Sequence, residues 1–166
     1  MNPFYSRMSF DDVRCVNDML NQYCENDIEI YNIYDFVDKC SDLTMVSRNE
    51  NYDIVGAIFG FITNGTCITK NKIEEGYIDH GDTLCVISEC VKHDMIDTGI
   101  MEDIRTYYYD EWILNHKNRK HRTIKYISSI ARQSNLNSMK SLGFEVVGPS
   151  KLKWGEEELF DVVKRL

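Results

Sequence analysis

Two stretches of the chain carry residues whose type and spacing permit chemistry. In the apolar run Leu84–Val91, LCVISECV, strand alternation places Cys85, Ile87, Glu89 and Val91 on one face and Leu84, Val86, Ser88 and Cys90 on the other. Glu89 is then an acid among apolar neighbours, and such surroundings bring a carboxyl closer to neutrality, as a general base requires. The competing reading of Glu89 is a structural ion pair or an edge position. The second stretch, Val91–Arg105, VKHDMIDTGIMEDIR, leads out of that run into a helical pattern. A strand that passes through a short loop into a helix suits a phosphate, because the first helical amides point outward unpaired. This loop has a single glycine, Gly99, and the acids Asp94, Asp97, Glu102 and Asp103. Two like charges in contact repel by roughly 4 kcal/mol at an effective dielectric of 20, several times what a helix dipole contributes. Lys92, His93 and Arg105 offset part of that. Either the backbone still cradles an anion, or Asp94 or Asp97 caps the helix and the loop binds nothing.

The surrounding pattern supplies the elements that must position these residues. NPFYSRM reads as a first strand, and FDDVRCVNDMLNQYC as a helix with Val13, Val16, Met19 and Leu20 on one stripe and acids in its first turn. IYNIYDFVDKC is a second helix. LTMVSRN and IVGAIFGFI, joined through ENYD, form a hairpin whose second strand is apolar on both faces. Thr63–Gly81 is a long polar excursion with three glycines. After the strand DTLCVISECV the period turns helical, with Ile100, Ile104, Tyr108 and Trp112 aligned. YYYDEW, from Tyr107, belongs to the core and surface of that helix. The basic run HKNRKHR precedes the strand TIKYISSIA. NLNSMKSLG fits a short helix closed by glycine, and two more strands, around GP and WG, end the chain. The order predicts one α/β (α+β) domain over residues 1–166: a mixed, mainly antiparallel sheet of six to seven strands with helices on both faces.

Composition narrows the function. With 166 residues, 43% hydrophobic and 28% charged, the chain has enough apolar material for a substantial core. A net charge of −8 argues against a nucleic-acid partner and for a neutral or cationic substrate. Six scattered cysteines without a CxxC pair, and no signal-like or membrane-length apolar run, predict reduced thiols in a cytoplasmic protein. Cys85 and Cys90 are five residues apart on one strand and face opposite sides, and no metal-ligand spacing is present, so no metal is expected.

The element order, DDV opening the first helix, IVGAIFGF as a central strand, and ARQSNLNSMKSLGFEVVG near the end together resemble the GNAT superfamily of acyl-CoA N-acetyltransferases. The span from Ala131 through LGF to GPSKLKWG is similar to its arylalkylamine (serotonin) N-acetyltransferase branch, as is the excursion between the third and fourth strands. In that family the loop follows Arg/Gln-x-x-Gly-x-Gly/Ala, and its amides hold the pyrophosphate of acetyl-CoA. Aligned on Gly99, this chain has Ile96, Asp97, Thr98, Gly99, Ile100 and Met101, so the basic residue and the second small residue are absent.

The resemblance implies acetyl-CoA as cosubstrate, lying in the split between the fourth and fifth strands. Its arm and thioester would meet the amides of Cys90 and Val91, and its phosphates those of Thr98, Gly99, Ile100 and Met101, with Asp97 alongside. Asn135 would meet the pantetheine arm, and HKNRKHR the 3′-phosphate. Some relatives use a glutamate on the fourth strand, which implies Glu89 as base. The paired histidines of the arylalkylamine branch would fall near Cys85 and Ile87 and are absent. The family's tyrosine, the acid for the leaving thiolate, stands four residues before the glycine of LGF, which is Met139 here; Ser138, Ser141 or water would substitute. The implied activity is direct acetylation of a small arylalkylamine- or polyamine-like amine by a monomer or homodimer, with no nucleic-acid or membrane partner. The alternatives are a catalytically degenerate GNAT-fold binding or regulatory protein, and a protein N-terminal or lysine acetyltransferase.

Overall fold

The computed structural model describes residues 3–22, 29–118 and 123–166. The end of the first expected helix and most of the basic run, Arg119–Arg122, lie outside the described residues. Among the described residues there are seven strands: β1 Phe4–Ser6, β2 Met45–Arg48, β3 Ile54–Thr63, β4 Thr83–Val91, β5 Tyr126–Arg132, β6 Glu145–Trp154 and β7 Glu157–Arg165. The helices are α1 Val13–Asn21, α2 Ile30–Cys40, α3 Lys70–Glu75, α4 Ile100–Tyr107, α5 Ile113–His116 and α6 Leu136–Ser141. The strands form one sheet in the order β1-β2-β3-β4-β5-β7-β6. The β1–β2, β2–β3, β5–β7 and β6–β7 pairs are antiparallel, and β4–β5 is parallel over Thr83–Cys85. The mixed, mainly antiparallel architecture is the one expected. Among the described residues no helix is long and apolar enough to cross a membrane.

By contacts the chain divides into two compact units, Met1–Gly60 with Ser88–His116, and Phe61–Ile87 with Lys117–Leu166. In the first, Val16, Ile33, Phe36, Leu43, Phe59 and Ile104 are buried, with the Phe36 and Phe59 rings 6.4 Å apart. The entry to α1 is fixed by polar bonds. Asp12 accepts the amide and hydroxyl of Ser9, each at 2.9 Å, and both of its oxygens are 2.8 Å from Arg48 Nη2 on β2. Burial alone would raise the Asp12 carboxyl, but the Arg48 and Ser9 bonds outweigh it and hold it below the usual carboxylate range.

The second unit is built around Phe61, Ile62, Leu84, Ile127, Met139, Phe144 and Val162. Gly143, at φ 88°, follows α6 as the sequence pattern predicts. The Thr63–Gly81 excursion is not purely irregular, because it contains α3. Its signals are local: the Thr69 hydroxyl accepts the Lys72 amide at 3.3 Å, and Gly76 closes the helix at φ 67°. With Ile73 as the one buried residue in six, the apolar periodicity is too short to announce a helix.

Candidate functional site

The chemistry-bearing residues expected from sequence fall in both units. The first contains Glu89, Cys90 and Val91 at the end of β4, the loop 92–99, and α4. Cys90 and Val91 are buried, and the Lys92 amide is bonded to the Val55 carbonyl at 2.9 Å, which ties the strand end to β3. Beneath them Gly56 is required by space. A Cβ there would lie 2.5 Å from Ile104 Cδ1, 3.1 Å from the Cys90 carbonyl and 3.2 Å from Val91 Cγ1.

After β4, His93–Met95 form a 3₁₀ turn, and the Thr98 hydroxyl donates to the Met95 carbonyl at 2.6 Å. Asp97 and Gly99 are both left-handed, at φ 66° and 81°. Gly99 is the N-cap of α4 and supplies no side-chain bond to its first turn, and a Cβ on it would meet nothing within 4 Å. The cap expected of Asp94 or Asp97 is therefore not made. Asp97, Thr98 and Gly99 are exposed, Met101 is half-buried, and Ile100 is turned into the core. This leaves an open helix start with Asp97 beside it.

Glu89 has the ion pair that was the competing reading of it. It is not isolated among apolar side chains. Its Oε2 accepts from Arg105 Nε at 2.8 Å and lies 2.8 Å from Arg105 Nη2, while its Oε1 accepts the Tyr109 hydroxyl at 2.8 Å. The Arg105 side chain is 6% exposed and that of Glu89 18%. Burial works against the Arg105 charge, but the charge and hydrogen bond of Glu89 outweigh it and raise the guanidinium above its usual value. Arg105 is thus not a surface cation that offsets the acids of the loop. Its Nη1 is buried without a hydrogen-bond partner, and Glu102 approaches it only to 3.9 Å. Lys92 and His93 remain near the loop. With Asp11, Arg14, Asp18 and Asp94 they line a groove of about 640 Å³ along α1.

Tyr109 sits in a π-helical turn, Tyr108–Trp112, that joins α4 to α5. The turn buries two consecutive tyrosines. Tyr108 donates to the Leu43 carbonyl at 2.6 Å, and Trp112 Nε1 to the Asp42 carbonyl at 3.1 Å. Sequence reasoning assigned this segment to core and surface and missed the bond to Glu89. The available signal was the four-residue spacing of Arg105 and Tyr109, which puts both on one helical face.

In the second unit, Asn135 is the N-cap of α6, half-buried and without a side-chain cap bond. Ser138 is half-buried, and its carbonyl accepts the Ser141 hydroxyl at 2.7 Å. Met139 is 2% exposed and fills core. The structure thus groups Glu89, Cys90, Val91 and residues 97–101 in one unit, and Asn135 and Ser138 in the other. Burial pushes the thiols of Cys85 and Cys90 up to about 12. Asp161 on β7 is an acid that the sequence reading passed over, although it too interrupts an apolar run. It is 5% exposed, its Oδ1 has no hydrogen-bond partner, and burial raises its carboxyl against hydrogen bonds from Ser150 and Cys67.

The seven-stranded, mostly antiparallel sheet with its helices is the GNAT fold. Among solved structures, the chain is similar to the loading GNATL domain of CurA from Lyngbya majuscula, with a TM-score of 0.78 at 9% identity over 99% of this chain and 98% of that one. It is likewise similar to the GphF GNAT-like decarboxylase in complex with isobutyryl-CoA, with a TM-score of 0.75 at 10% identity over 98% of each chain. The diaminobutyrate acetyltransferase EctA from Paenibacillus lautus, in complex with L-2,4-diaminobutyric acid and coenzyme A, gives 0.61 at 20% identity over 98% of this chain and 95% of that one. No family model matches the chain, and no curated protein matches it in sequence.

Proposed function

We propose that the chain is an acetyl-CoA-dependent N-acetyltransferase that works as one domain on a small cationic amine, arylalkylamine- or polyamine-like, by direct transfer. The observation that carries this reading is the turn from β4 into α4, where left-handed Gly99 leaves the first helical turn open and uncapped. Amides serve as anion donors whatever side chains they bear, so Gly99–Met101 can hold the phosphates although the family's basic residue is missing, while the Thr98 amide is spent on the Met95 carbonyl at 3.4 Å. Cys90 and Val91 would hold the pantetheine arm and thioester. The net charge of −8 supports a cationic acceptor, whereas the groove along α1 sets Asp11, Asp18 and Asp94 against Arg14, Lys92 and His93.

Acetyl-CoA supplies the activated acyl group. Glu89, directly or through one water, takes a proton from the acceptor ammonium. The freed nitrogen lone pair attacks the thioester carbonyl, a C–N bond forms, and the C–S bond breaks. Thiolate departure needs no strong acid, since a free thiol's pKa is about 8.5; the attacking nitrogen sheds its second proton as the C–S bond breaks, and water carries it to the sulfur. The products are the N-acetyl amine, the free thiol and the proton left on Glu89, which passes to solvent. The test is release of free thiol from acetyl-CoA across arylalkylamines, polyamines and peptides. Glu89→Gln is expected to lower turnover by about 100-fold or more, and unchanged turnover would remove Glu89 from the mechanism.

A second reading is a catalytically degenerate GNAT-fold binding or regulatory protein. It is favoured by one observation: the place of the family's tyrosine is taken by Met139, buried in core and without a proton to give. Binding of CoA without thiol release from acetyl-CoA by any amine or peptide would select it. Acetylation of the peptides alone would select a protein acetyltransferase.

A further inference from the structure

Arg105 and Tyr109 divide the Glu89 carboxylate between them. Two of the three guanidinium nitrogens, Nε and Nη2, converge on Oε2, and Oε1 receives one donor, the Tyr109 hydroxyl at 2.8 Å. A carboxylate oxygen accepts two hydrogen bonds, so Oε1 keeps capacity for one more donor. Glu89 is also the one member of the three with appreciable exposure, 18% against 6% for the Arg105 side chain and 0% for Tyr109. Its orientation is fixed by the π-turn. A regular helix places successive side chains about 100° apart, yet here Tyr108 and Tyr109 are both fully buried, with hydroxyls on Leu43 and Glu89 respectively. Such turns occur at functional sites more often than elsewhere.

We propose that Tyr109 is a positioning residue for the base. Held by the π-turn, its hydroxyl directs the remaining lone pair of Oε1 to the acceptor ammonium or its bridging water, while Oε2 is the structural oxygen bound to Arg105. The inference rests on the acetyltransferase reading. In the step it assists, the proton passes from the ammonium nitrogen to Oε1, the nitrogen keeps the electron pair, and Tyr109 retains its own proton throughout.

The test is Tyr109→Phe, with Tyr108→Phe as its control. Both substitutions delete one hydroxyl from the same turn. Only Tyr109→Phe removes a donor to Glu89. It is expected to lower kcat about tenfold near neutral pH with KM for acetyl-CoA unchanged. The acid limb of its pH–rate profile moves to higher pH, because a carboxylate with one donor fewer takes up a proton more readily. Tyr108→Phe leaves the position of that limb at the parent's value. If the Tyr109→Phe limb stays in place, or both variants move it equally, Tyr109 is structural and the inference fails while the acetyltransferase reading stands. If the parent releases no thiol with any amine or peptide, both fail together.

Discussion

Arg105 delivers two nitrogens, Nε and Nη2, to a single oxygen of Glu89, each at 2.8 Å, and both side chains are largely withdrawn from water. A buried pair of this kind is costly to halve, because the surviving charge loses its partner and does not regain its hydration. Arg105→Met is therefore expected to destabilise the chain by roughly 3–5 kcal/mol in urea unfolding. Adding Glu89→Gln to it, which keeps an acceptor for Tyr109, recovers most of that loss. A double variant no more stable than Arg105→Met would show that the pair is not the unit of stability.

Asp97→Gly tests the anion loop. At φ 66° the aspartate holds a left-handed conformation that glycine adopts without strain, while glycine adds freedom to the unfolded chain. These effects oppose each other, so stability changes by less than about 1 kcal/mol. The carboxylate beside the helix start is gone, and CoA binds more tightly by calorimetry. Equal or weaker binding would mean that the charge of Asp97 is not what limits the grip.

Gly56→Ala acts on the strand end from below. The added methyl meets Ile104 Cδ1 at 2.5 Å and must displace it or the Cys90–Val91 backbone. Overpacking of this size costs about 1–3 kcal/mol. The midpoint of urea unfolding falls, and acetyl-CoA affinity falls with it, because the displaced residues are those proposed to hold the thioester arm. Lowered stability with unchanged affinity would separate Cys90 and Val91 from the binding site.

Much of this arrangement was legible in the sequence. β2, β3 and β4 announce themselves as runs of β-branched and apolar residues, and α4 with the turn after it shows the stripe Ile100, Ile104, Tyr108 through the period of the buried face. Gly99 was legible as the turn between strand and helix, but its left-handed conformation was not, since helix N-caps are normally extended. The partners of Glu89 were harder to see. Alternation on β4 says which face Glu89 shares, but whether that face meets an arginine or a leucine depends on a helix sixteen residues further on, and so on tertiary packing. The π-turn has no sequence signal of its own. α3 was missed because five polar residues with one buried isoleucine leave no periodicity, although Thr69 and Gly76 mark its ends.

The buried thiols give a pH prediction. Cys85 and Cys90 titrate near 12 in the folded chain against about 9 when exposed, so between those values the folded state holds protons that the unfolded state releases. Their contribution to stability is complete below pH 9 and is lost as pH rises toward 12. Unfolding free energy is expected to fall over that range, and less steeply in Cys85→Ala with Cys90→Ala. In the native protein at pH 8, iodoacetamide labels exposed Cys15 and Cys67 before Cys85 and Cys90, read by peptide mass.

Binding of acetyl-CoA is the measurement nearest the central claim. A ligand at 100 times its dissociation constant stabilises the protein that binds it by about 2.7 kcal/mol, and thermal unfolding with and without acetyl-CoA reads this directly. The account predicts a rise in Tm that grows with acetyl-CoA concentration and is reproduced by free CoA, since the phosphates and the pantetheine arm are common to both. No rise at millimolar acetyl-CoA would contradict it.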